Sequence, residues 1–484
     1  MKKSTRHPDE SVPQSVSRKA RGHNGRESIQ IGFTDQRISP RAGLWPWADF
    51  LHRCRFREVL EKAMPQRRSP NHIACADLAL GFLAGVLSGS TKLAHCAQLR
   101  GDPLMADLLG VKRLGSQSSY TRFFGLFSSA RFNSECFGRL WRWSLEQLSS
   151  SRAGFTLDLD STHLLHEDAH QKEGVRSSYT PEGMRRCLHP LLGMISEANL
   201  VAGFWLRPGN TRSDNNAVAF TAELLDRLPS WVRLGLVRAD SGFCDERLMA
   251  FLETKALPYI IVARLHQPTR SLISRASHWK ATELPGTEVA ELLLQTWGWS
   301  RARRVVLIRH QVKQRPEAGG RELIECPGYR FQALITSLPT SVDGLMVWRR
   351  YNGRAGCENI IKELATSYAL PQLCLGKFFA TEAALSLSVM AYNLCVLFQQ
   401  RVGWEDRVNT ATLRQRLFMI GGVISRSGGY LTVRLAVPEG PLRDWWQSLL
   451  EKLRCRWLNC IAVPPKPPNA PVSARKLHAY PTLI

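Results

Sequence analysis

The chain has 484 residues, 44% of them hydrophobic, so it is long enough to form several domains and to bury a large core. Its formal net charge is +24, from 65 basic and 41 acidic residues, which is far from the near-neutral balance of most soluble enzymes and indicates a polyanionic partner. Nucleic acid is the first candidate for that partner, and an anionic membrane surface is the second. The composition excludes a disordered tail and a miniprotein.

The lengths of the apolar stretches argue against the membrane. Leu78–Leu87 and Ala383–Phe398 are the most apolar segments, and both are shorter than the roughly 20 residues that span a bilayer. We expect core helices at both places. The basic N-terminus is not followed by an apolar run, so no secretory signal is predicted and a reducing cytoplasm is expected. Only Cys455 and Cys460 lie close together among the 12 cysteines, which favours buried thiols over a zinc site.

Helical periodicity marks the region between about residues 31 and 150, where apolar residues recur at helical spacing in Cys75–Leu87 and Phe132–Leu148. Within it, a short helix at Asp102–Leu109, a turn, and a second helix at Ser116–Phe127 with Ser116 as its N-cap resemble a helix-turn-helix. An ordinary helical hairpin fits the same pattern equally well. If the helix-turn-helix is correct, the second helix offers four side chains to DNA: Gln117, Ser119, Tyr120 and Arg122.

Strand and helix patterns alternate after Gly154. Gly154–Asp160 alternates apolar and polar residues, which predicts a half-buried strand with Asp158 and Asp160 on one face. A polar loop is expected at Glu167–Cys187. The next segments predict two strands, a helix, a strand, a helix and a strand, at Leu191–Ser196, Leu200–Arg207, Asn215–Leu228, Leu234–Asp240, Asp245–Lys255 and Tyr259–Leu265. This is the element order of a ribonuclease H-like core that lacks only its closing helix.

The closing helix is expected only after an insertion. Strand-like runs at Arg304–Val312 and Arg330–Ser337, set among Pro and Gly turns, predict a β-rich insertion from about residue 266 to 342. A helix is then predicted to begin at about Trp348. Four polar residues in it have offsets of 0, 3, 7 and 11, so at about 100° per residue we expect them on one stripe of one helix: Tyr351, Arg354, Glu358 and Lys362.

Three carboxylates in this arrangement predict a metal site. Asp160 and Asp240 end the first and fourth strands, and the carboxyl ends of neighbouring strands meet at one sheet edge. Glu358 on the closing helix can add a third carboxylate. Hard oxygen donors suit Mg²⁺ or Mn²⁺, and two ions about 3.5 to 4 Å apart can activate an attacking oxygen and stabilise a leaving one in phosphodiester displacement. Taken singly, each residue could instead be a turn former, a helix cap or a salt-bridge partner of Lys362.

Three segments resemble the signature blocks of bacterial DDE transposases: Leu157–Thr162 (LDLDST), Arg238–Phe243 (RADSGF) and Tyr351–Glu363 (YNGRAGCENIIKE). Within that group the chain resembles the insertion-sequence 1380 family of the insertion-sequence 4 superfamily. That family also has a Gln and a Gly before a His-Pro-Leu-Leu strand, as in Gln171, Gly174 and His189–Leu192. The resemblance covers roughly residues 154 to 362, with a weaker echo at 114 to 124. It implies a ribonuclease H-like fold with a β-rich insertion, and cut-and-join chemistry on the ends of a mobile element.

The resemblance also assigns roles by position. It implies that Asp160, Asp240 and Glu358 bind two Mg²⁺ or Mn²⁺ ions. Tyr351 and Arg354 match a Tyr-x-x-Arg-x-x-x-Glu block, in which the fork of the Arg grips a phosphate and the Tyr hydroxyl supports it.

Two positions in these blocks stay open. The superfamily block often ends in a Lys seven residues after the Glu, where this chain has Ala365. Lys362, on the same predicted stripe, is then the candidate DNA-binding replacement. Asp158 is an alternative to Asp160 as the first metal ligand, although the Ser-Thr pair and the strand end that follow favour Asp160.

Two further groups could bind ligands, but a binding role is not favoured for either of them. His163, His166 and His170 have offsets of 0, 3 and 7, as zinc ligands on a helix would, but they begin a loop rich in acidic residues and no fourth ligand is evident. Trp297 and Trp299 alternate on one face of a predicted strand. Strand packing is favoured for them over stacking on a nucleobase.

Six segments are therefore predicted: a basic flexible arm (1–30), a helical DNA-binding domain (31–150), the first part of the ribonuclease H-like core (151–265), the β-rich insertion (266–345), the second part of the core with the Glu helix (346–405), and a basic C-terminal region with a Pro-rich tail (406–484). Residues 1–150 carry a net charge of +11, residues 301–350 of +6 and residues 401–484 of +8, whereas residues 151–250 carry −2. Basic surfaces would hold phosphates around an acidic centre that cuts them.

The leading hypothesis is a DDE transposase of an insertion sequence. Its expected partners are double-stranded DNA, as terminal inverted repeats and target, and a second copy of the chain in a synaptic homodimer. Its expected location is the bacterial cytoplasm, at the nucleoid. The alternatives are a ribonuclease H-like nuclease that never joins strands, and a non-catalytic DNA-binding protein derived from a transposase.

Overall fold

The computed structural model describes residues 32–67, 71–168, 171–180, 182–296, 298–314, 319–324, 326–404 and 406–455. Several predicted features lie outside these residues: the arm at 1–30, the Pro-rich tail, Cys460, His170 and Trp297. Within the described residues the fold is a mixed α/β structure. The division into six segments stays a prediction.

The N-terminal region is helical, as predicted. After a short strand, β1 (Ile38–Ser39), it contains α1 (Trp45–Arg53), α2 (Phe56–Ala63), α3 (Cys75–Leu87), α4 (Leu93–Gln98), α5 (Met105–Leu108), α6 (Gln117–Phe124) and α7 (Ala130–Glu146). The expected helix at Cys75–Leu87 is confirmed at both ends. Ser116 caps α6 as predicted, because its side-chain oxygen accepts the Ser119 N–H at 3.2 Å. The helix expected at Asp102–Leu109 is only the four-residue α5.

The next region contains β2 (Phe155–Ser161), β3 (Leu164–Leu165), β4 (Arg176–Thr180), β5 (Gly183–Leu188), β6 (Leu191–Ile195), β7 (Leu200–Trp205), α8 (Ala217–Arg227), β8 (Leu234–Ala239), α9 (Glu246–Thr254) and β9 (Tyr259–Val262). The sheet order is β7-β6-β2-β8-β9. β2, β8 and β9 are parallel, and β6 and β7 run antiparallel to their neighbours. The predicted strands and helices are confirmed, with ends that differ by up to three residues. The expectation that the first strand is half-buried is wrong, because both faces of β2 are buried.

The predicted polar loop at Glu167–Cys187 is wrong. This stretch contains β4 and most of β5, which pair with each other and, through β5, with β3 in a separate three-stranded sheet. Most side chains of β4 are exposed, so this strand lacks the apolar alternation by which a strand is recognised in a sequence.

The β-rich insertion continues the central sheet. It contains α10 (Gln267–Arg275), β10 (Lys280–Ala281), β11 (Thr287–Leu294), β12 (Arg303–Gln311), β13 (Arg321–Leu323) and β14 (Cys326–Thr336). β14 pairs antiparallel with β9, with Ile335 opposite Ile261, so the insertion strands β10 to β14 join β2 and β6 to β9 in one ten-stranded sheet. The two expected strands of the insertion are confirmed as β12 and β14.

The C-terminal part contains α11 (Gly344–Asn352), α12 (Ala355–Ser367), α13 (Phe378–Val402), α14 (Thr410–Leu413) with a following π-helical turn, β15 (Gly422–Ser427), β16 (Tyr430–Leu435) and α15 (Pro441–Cys455). The single helix predicted from about Trp348 is wrong, because the chain forms α11 and α12 with a break at Gly353 and Arg354. Arg238 explains the break. Its Nη1 donates to the Arg350 carbonyl, which in a continuous helix would accept from the Arg354 N–H. A Cβ at Gly353 would lie 2.6 Å from the same Arg238 nitrogen.

α13 is the central helix of the core. It is long and apolar enough to cross a membrane by length and composition, but its apolar window is entirely buried inside the protein. It packs on α3, α7 and β7. Asn393 ties it to β7, since its Oδ1 accepts the Val201 N–H at 2.9 Å and its Nδ2 donates to the Val201 carbonyl at 2.8 Å. Helices from both ends of the chain therefore share one hydrophobic core.

A buried carboxyl on α13 predicts a pH effect on stability. Burial raises the pKa of Glu382 to about 7. Hydrogen bonds from the Asn133 amide and the Leu206 N–H lower this pKa, but by less than burial raises it. Because the folded pKa lies above the ordinary 4.5, the folded protein holds this proton more tightly than the unfolded chain. Its stabilising contribution is complete below about pH 4.5 and is lost as the pH rises through about 7.

We therefore expect wild type to lose about 2 to 3 kcal/mol of unfolding free energy between pH 5 and pH 8 relative to Glu382→Gln. The Gln is neutral throughout and keeps an acceptor for Leu206. Urea titrations of both proteins at the two pH values measure this difference. The exposed Glu135→Gln serves as control, and parallel pH profiles for wild type and Glu382→Gln would contradict the prediction.

Candidate active site

Asp160 and Asp240 lie at the same edge of the sheet. Asp160 is near the end of β2, and Asp240 directly follows β8. The two strands are parallel neighbours with Leu159 paired to Ala239, so the next residue of each strand is an aspartate. Leu157 and Leu159 are buried on the opposite face of β2 and fix which way the aspartates point. The convergence predicted from the strand ends is confirmed for this pair.

Asp160 is buried, and both of its carboxylate oxygens have polar partners. Its Oδ1 accepts the Ser161 N–H at 2.7 Å, and its Oδ2 contacts Arg354 Nη2 at 2.8 Å and Cys357 Sγ at 3.3 Å. Burial raises the pKa of Asp160, the Arg354 guanidinium opposes that shift, and the nearby Asp240 carboxylate adds to it. The site is thus a pair of mutually repelling carboxylates with one arginine beside them.

Asp240 borders a cavity of about 610 Å³ that opens toward the insertion. Its Oδ1 accepts the Gly242 N–H at 2.8 Å, which begins the short 3-10 turn after β8. Tyr351 lines the same cavity from α11, while Arg321 and Gln332 line it from β13 and β14. The insertion therefore builds one wall of the space next to this carboxylate.

Tyr351 lies in the last turn of α11, and Arg354 lies in the break between α11 and α12. Burial raises the pKa of Tyr351 to about 12. The charge of Arg354 lowers this pKa, and the charges of the three candidate carboxylates raise it further. Its hydroxyl therefore stays protonated near neutral pH and can donate a hydrogen bond. Arg354 is 6% exposed and, besides Asp160, contacts the carbonyl of Leu159 at 3.2 Å.

Glu358 and Lys362 lie on the solvent side of α12. The Glu358 side chain is 75% exposed, and its Oε1 is 4.0 Å from Arg354 Nη1. Lys362 is also exposed. The prediction that Tyr351 and Glu358 share one helix is wrong, because α11 ends at Asn352 and Glu358 is in α12.

The donor set suits a hard cation, although the ligands are not gathered around one point. In the described ranges, no group of three or more His, Cys, Asp and Glu residues is arranged to hold a metal ion. Asp160 and Asp240 nevertheless supply carboxylate oxygens that destabilise each other, and Glu358 is close to their arginine partner. Oxygen donors with unbalanced negative charge fit Mg²⁺ or Mn²⁺ better than zinc.

Asp158 has a different partner from Asp160. Its Oδ1 and Oδ2 accept from Arg238 Nε at 2.6 Å and Arg238 Nη2 at 2.8 Å. Arg238 Nη2 also contacts Ser196 Oγ at 2.9 Å. Both oxygens of Asp158 are thus held by Arg238, whereas Asp160 contacts its arginine through one oxygen only. The choice of Asp160 over Asp158 as the first metal ligand stays a prediction. The sequence interpretation missed Arg238, although it precedes Asp240 by two residues just as Asp158 precedes Asp160.

Only some of the four side chains that α6 was predicted to offer to DNA are accessible. Gln117 and Arg122 are exposed, and Ser119 is half-buried. Tyr120 is 0% exposed and packs against Phe82 of α3, so the prediction that it faces DNA is wrong. Its aromatic ring fills the core of the helical region instead.

Three residues of the predicted histidine and tryptophan groups are described by the structure: His163, His166 and Trp299. His163 stacks on His189 with ring centroids 4.2 Å apart, and the Arg303 guanidinium lies 5.1 Å from the Trp299 ring centroid. Trp299 lies in the connection between β11 and β12, so the prediction that it sits on the face of a strand is wrong.

Residues 22–456 match the family model described as Transposase DDE domain group 1. No curated protein matches the chain. Among solved structures, it is similar to a piggyBac transposase, seen by cryo-EM in a synaptic complex with hairpin DNA, at 13% sequence identity and a TM-score of 0.37. That alignment covers 75% of this chain and 69% of the other.

Proposed function

Because this chain belongs to the transposase DDE domain group 1 family, we propose that it is the transposase of a bacterial insertion sequence, which binds the terminal inverted repeats of its element and catalyses strand cleavage and strand transfer. The observation that carries the proposal is the placement of Asp160 and Asp240 on adjoining parallel strands, with Arg354 bound to Asp160. The sheet order β7-β6-β2-β8-β9 further supports a ribonuclease H-like core.

Each residue of the site has a distinct proposed role. Asp160, Asp240 and Glu358 would hold two Mg²⁺ or Mn²⁺ ions. When bound, the ions would activate the attacking oxygen and stabilise the leaving oxygen of the phosphodiester. Arg354 supplies a forked cation that suits a phosphate, and Tyr351 offers a protonated hydroxyl at the cavity. Lys362 is exposed one turn beyond Glu358 and would contact the DNA backbone.

The reaction proposed for this site has two steps. Water attacks a phosphodiester at the element end, breaking the bond to the 3′ oxygen and leaving a free 3′-hydroxyl. That hydroxyl then attacks a phosphodiester of the target. A new phosphodiester bond forms between element and target while a bond of the target strand breaks, so the number of phosphodiester bonds does not change. Both steps displace an oxygen at phosphorus, and one set of carboxylates can serve both.

The partners and location follow from the same proposal. Element ends and target are both duplex DNA, and the net charge of +24 supports binding to this polyanion. Two element ends call for two copies of the chain, as a homodimer. A bacterial element places the protein at the nucleoid in the cytoplasm. The three signature blocks favour the insertion-sequence 1380 family within this assignment.

The proposal is tested with a supercoiled plasmid that carries the native flanks of the coding region. We expect Mg²⁺-dependent cuts at the flank ends, and joined products when a pre-cleaved end and a target plasmid are supplied. Sequencing of the junctions identifies the joined ends. Cuts without any joining would instead establish the ribonuclease H-like nuclease, and DNA binding without cuts would establish the non-catalytic DNA-binding protein.

A further inference from the structure

A groove on the helical region is lined by arginines from four separate elements. It has a volume of about 700 Å³ and is bordered by the segment after α2, the 3-10 turn after α4, the loop before α6, and α6 itself. These elements contribute Arg67, Arg100, Arg113 and Arg122 respectively. The side chains of Leu78, Leu114 and Leu126 lie among them. No Asp or Glu lines the groove among the described residues.

These four arginines differ from the arginines of the neighbouring helices. Arg57, Arg131 and Arg142, in the neighbouring helices, each pair with an acidic side chain. In the part of the chain that the structure describes, none of the four groove arginines forms an ion pair. Like charges repel each other, so an anion bound among these arginines would offset their repulsion.

The groove is built to hold its charges in place. Arg113 Nη2 donates to the Asn71 carbonyl at 2.7 Å, which fixes that guanidinium at the rim. The N-terminus of α6 enters the groove at Ser116 and Ser119, and the first-turn amides of a helix favour negative charge. On its buried side, α6 packs closely on α3. A Cβ added at Gly81 of α3 would lie only 2.6 Å from the Tyr120 hydroxyl oxygen.

We propose that this groove binds the phosphate backbone of duplex DNA. Guanidinium forks and a helix N-terminus are the groups that recognise phosphate oxygens, and they carry no base code. The inference rests on the proposed function and deepens it: α6 grips the backbone through Arg122 together with three arginines outside the helix. This role differs from that of the predicted recognition helix, in which Tyr120 was expected to face DNA, because Tyr120 is buried.

The test compares two double variants of equal charge. Arg100→Gln/Arg122→Gln removes two exposed groove arginines, and Arg131→Gln/Arg142→Gln removes two exposed arginines of α7 outside the groove. Binding of a 30-bp duplex carrying one native flank is measured by fluorescence anisotropy at several salt concentrations, without divalent cation. For the groove variant we expect about 30-fold weaker binding at 150 mM salt and a salt slope smaller by about 2.

The α7 variant should bind within about twofold of wild type with an unchanged slope. Equal melting temperatures for the three proteins would establish that the groove variant is folded. If the groove variant binds like wild type, or if both variants weaken binding equally, this inference is overturned while the proposed transposase chemistry stands. If wild type itself fails to bind the duplex at any salt concentration, the proposed function fails, and the inference with it.

Discussion

Replacing Asp240 with Asn is expected to abolish Mg²⁺-dependent strand cleavage while leaving DNA binding nearly unchanged. Asn has the same shape and keeps an oxygen for the Gly242 N–H, so the turn after β8 should persist. It removes the negative charge that the proposed ions need. Losing several kcal/mol of transition-state stabilisation corresponds to a rate loss of about 1000-fold or more. The same loss is expected for Glu358→Gln, whose side chain is exposed, and for Asp160→Asn.

Cleavage of the flank-bearing plasmid and anisotropy with the flank duplex measure the two halves of this prediction. Asp245→Asn is the matched control, since it removes one carboxylate five residues from Asp240 and still caps α9 through the Arg247 N–H. Its cleavage rate should stay within a few-fold of wild type. Near-normal cleavage by Asp240→Asn or by Glu358→Gln would remove that residue from the proposed metal site.

Replacing Asp158 with Ala is expected to destabilise the fold by about 3 to 5 kcal/mol, because it leaves the charge of Arg238 buried without its partner. The two side chains are only 1% and 6% exposed, so water cannot replace the lost carboxylate. Urea-induced unfolding measures the loss. The break between α11 and α12 should also loosen, since Arg238 holds the Arg350 carbonyl there.

Two further variants distinguish the cost of leaving Arg238 buried without a partner from the cost of replacing any carboxylate. Glu135→Ala breaks an exposed pair with Arg131 and should cost at most about 1 kcal/mol. The double variant Asp158→Leu/Arg238→Met removes both charges and should recover much of the stability lost by Asp158→Ala. A loss below about 1 kcal/mol for Asp158→Ala would show that Arg238 is not desolvated as described.

The elements that could be predicted from the sequence are those whose burial pattern is local. In β2, Leu157 and Leu159 alternate with Asp158 and Asp160, and that period of two identifies both the strand and its carboxylate face. The ends of α3 and the cap at Ser116 are also local signals. Asp160 could be placed beside Asp240 because the order of elements along the chain indicated a ribonuclease H-like core, in which the strands that these residues end are neighbours.

The features that were missed depend on residues far apart in the chain. The helix stripe through Tyr351 and Glu358 failed because Arg238, 112 residues before Arg350, takes the carbonyl that a continuous helix would use. Tyr120 has polar neighbours in sequence but is covered by Phe82 of another helix. The pairing of β14 with β9 likewise joins two strands that have the other strands of the insertion between them in the chain. Periodicity carries no information on such contacts.

The position of α13 in the core has a consequence for biosynthesis. This helix covers apolar faces of α3 and α7, yet it follows α3 by about 290 residues. At about 5 to 20 residues per second, the N-terminal helices would wait roughly 15 to 60 s on the ribosome for that cover. Nascent chains cut short before Phe378 would keep those faces exposed, so premature termination should yield aggregation-prone fragments rather than a free helical domain.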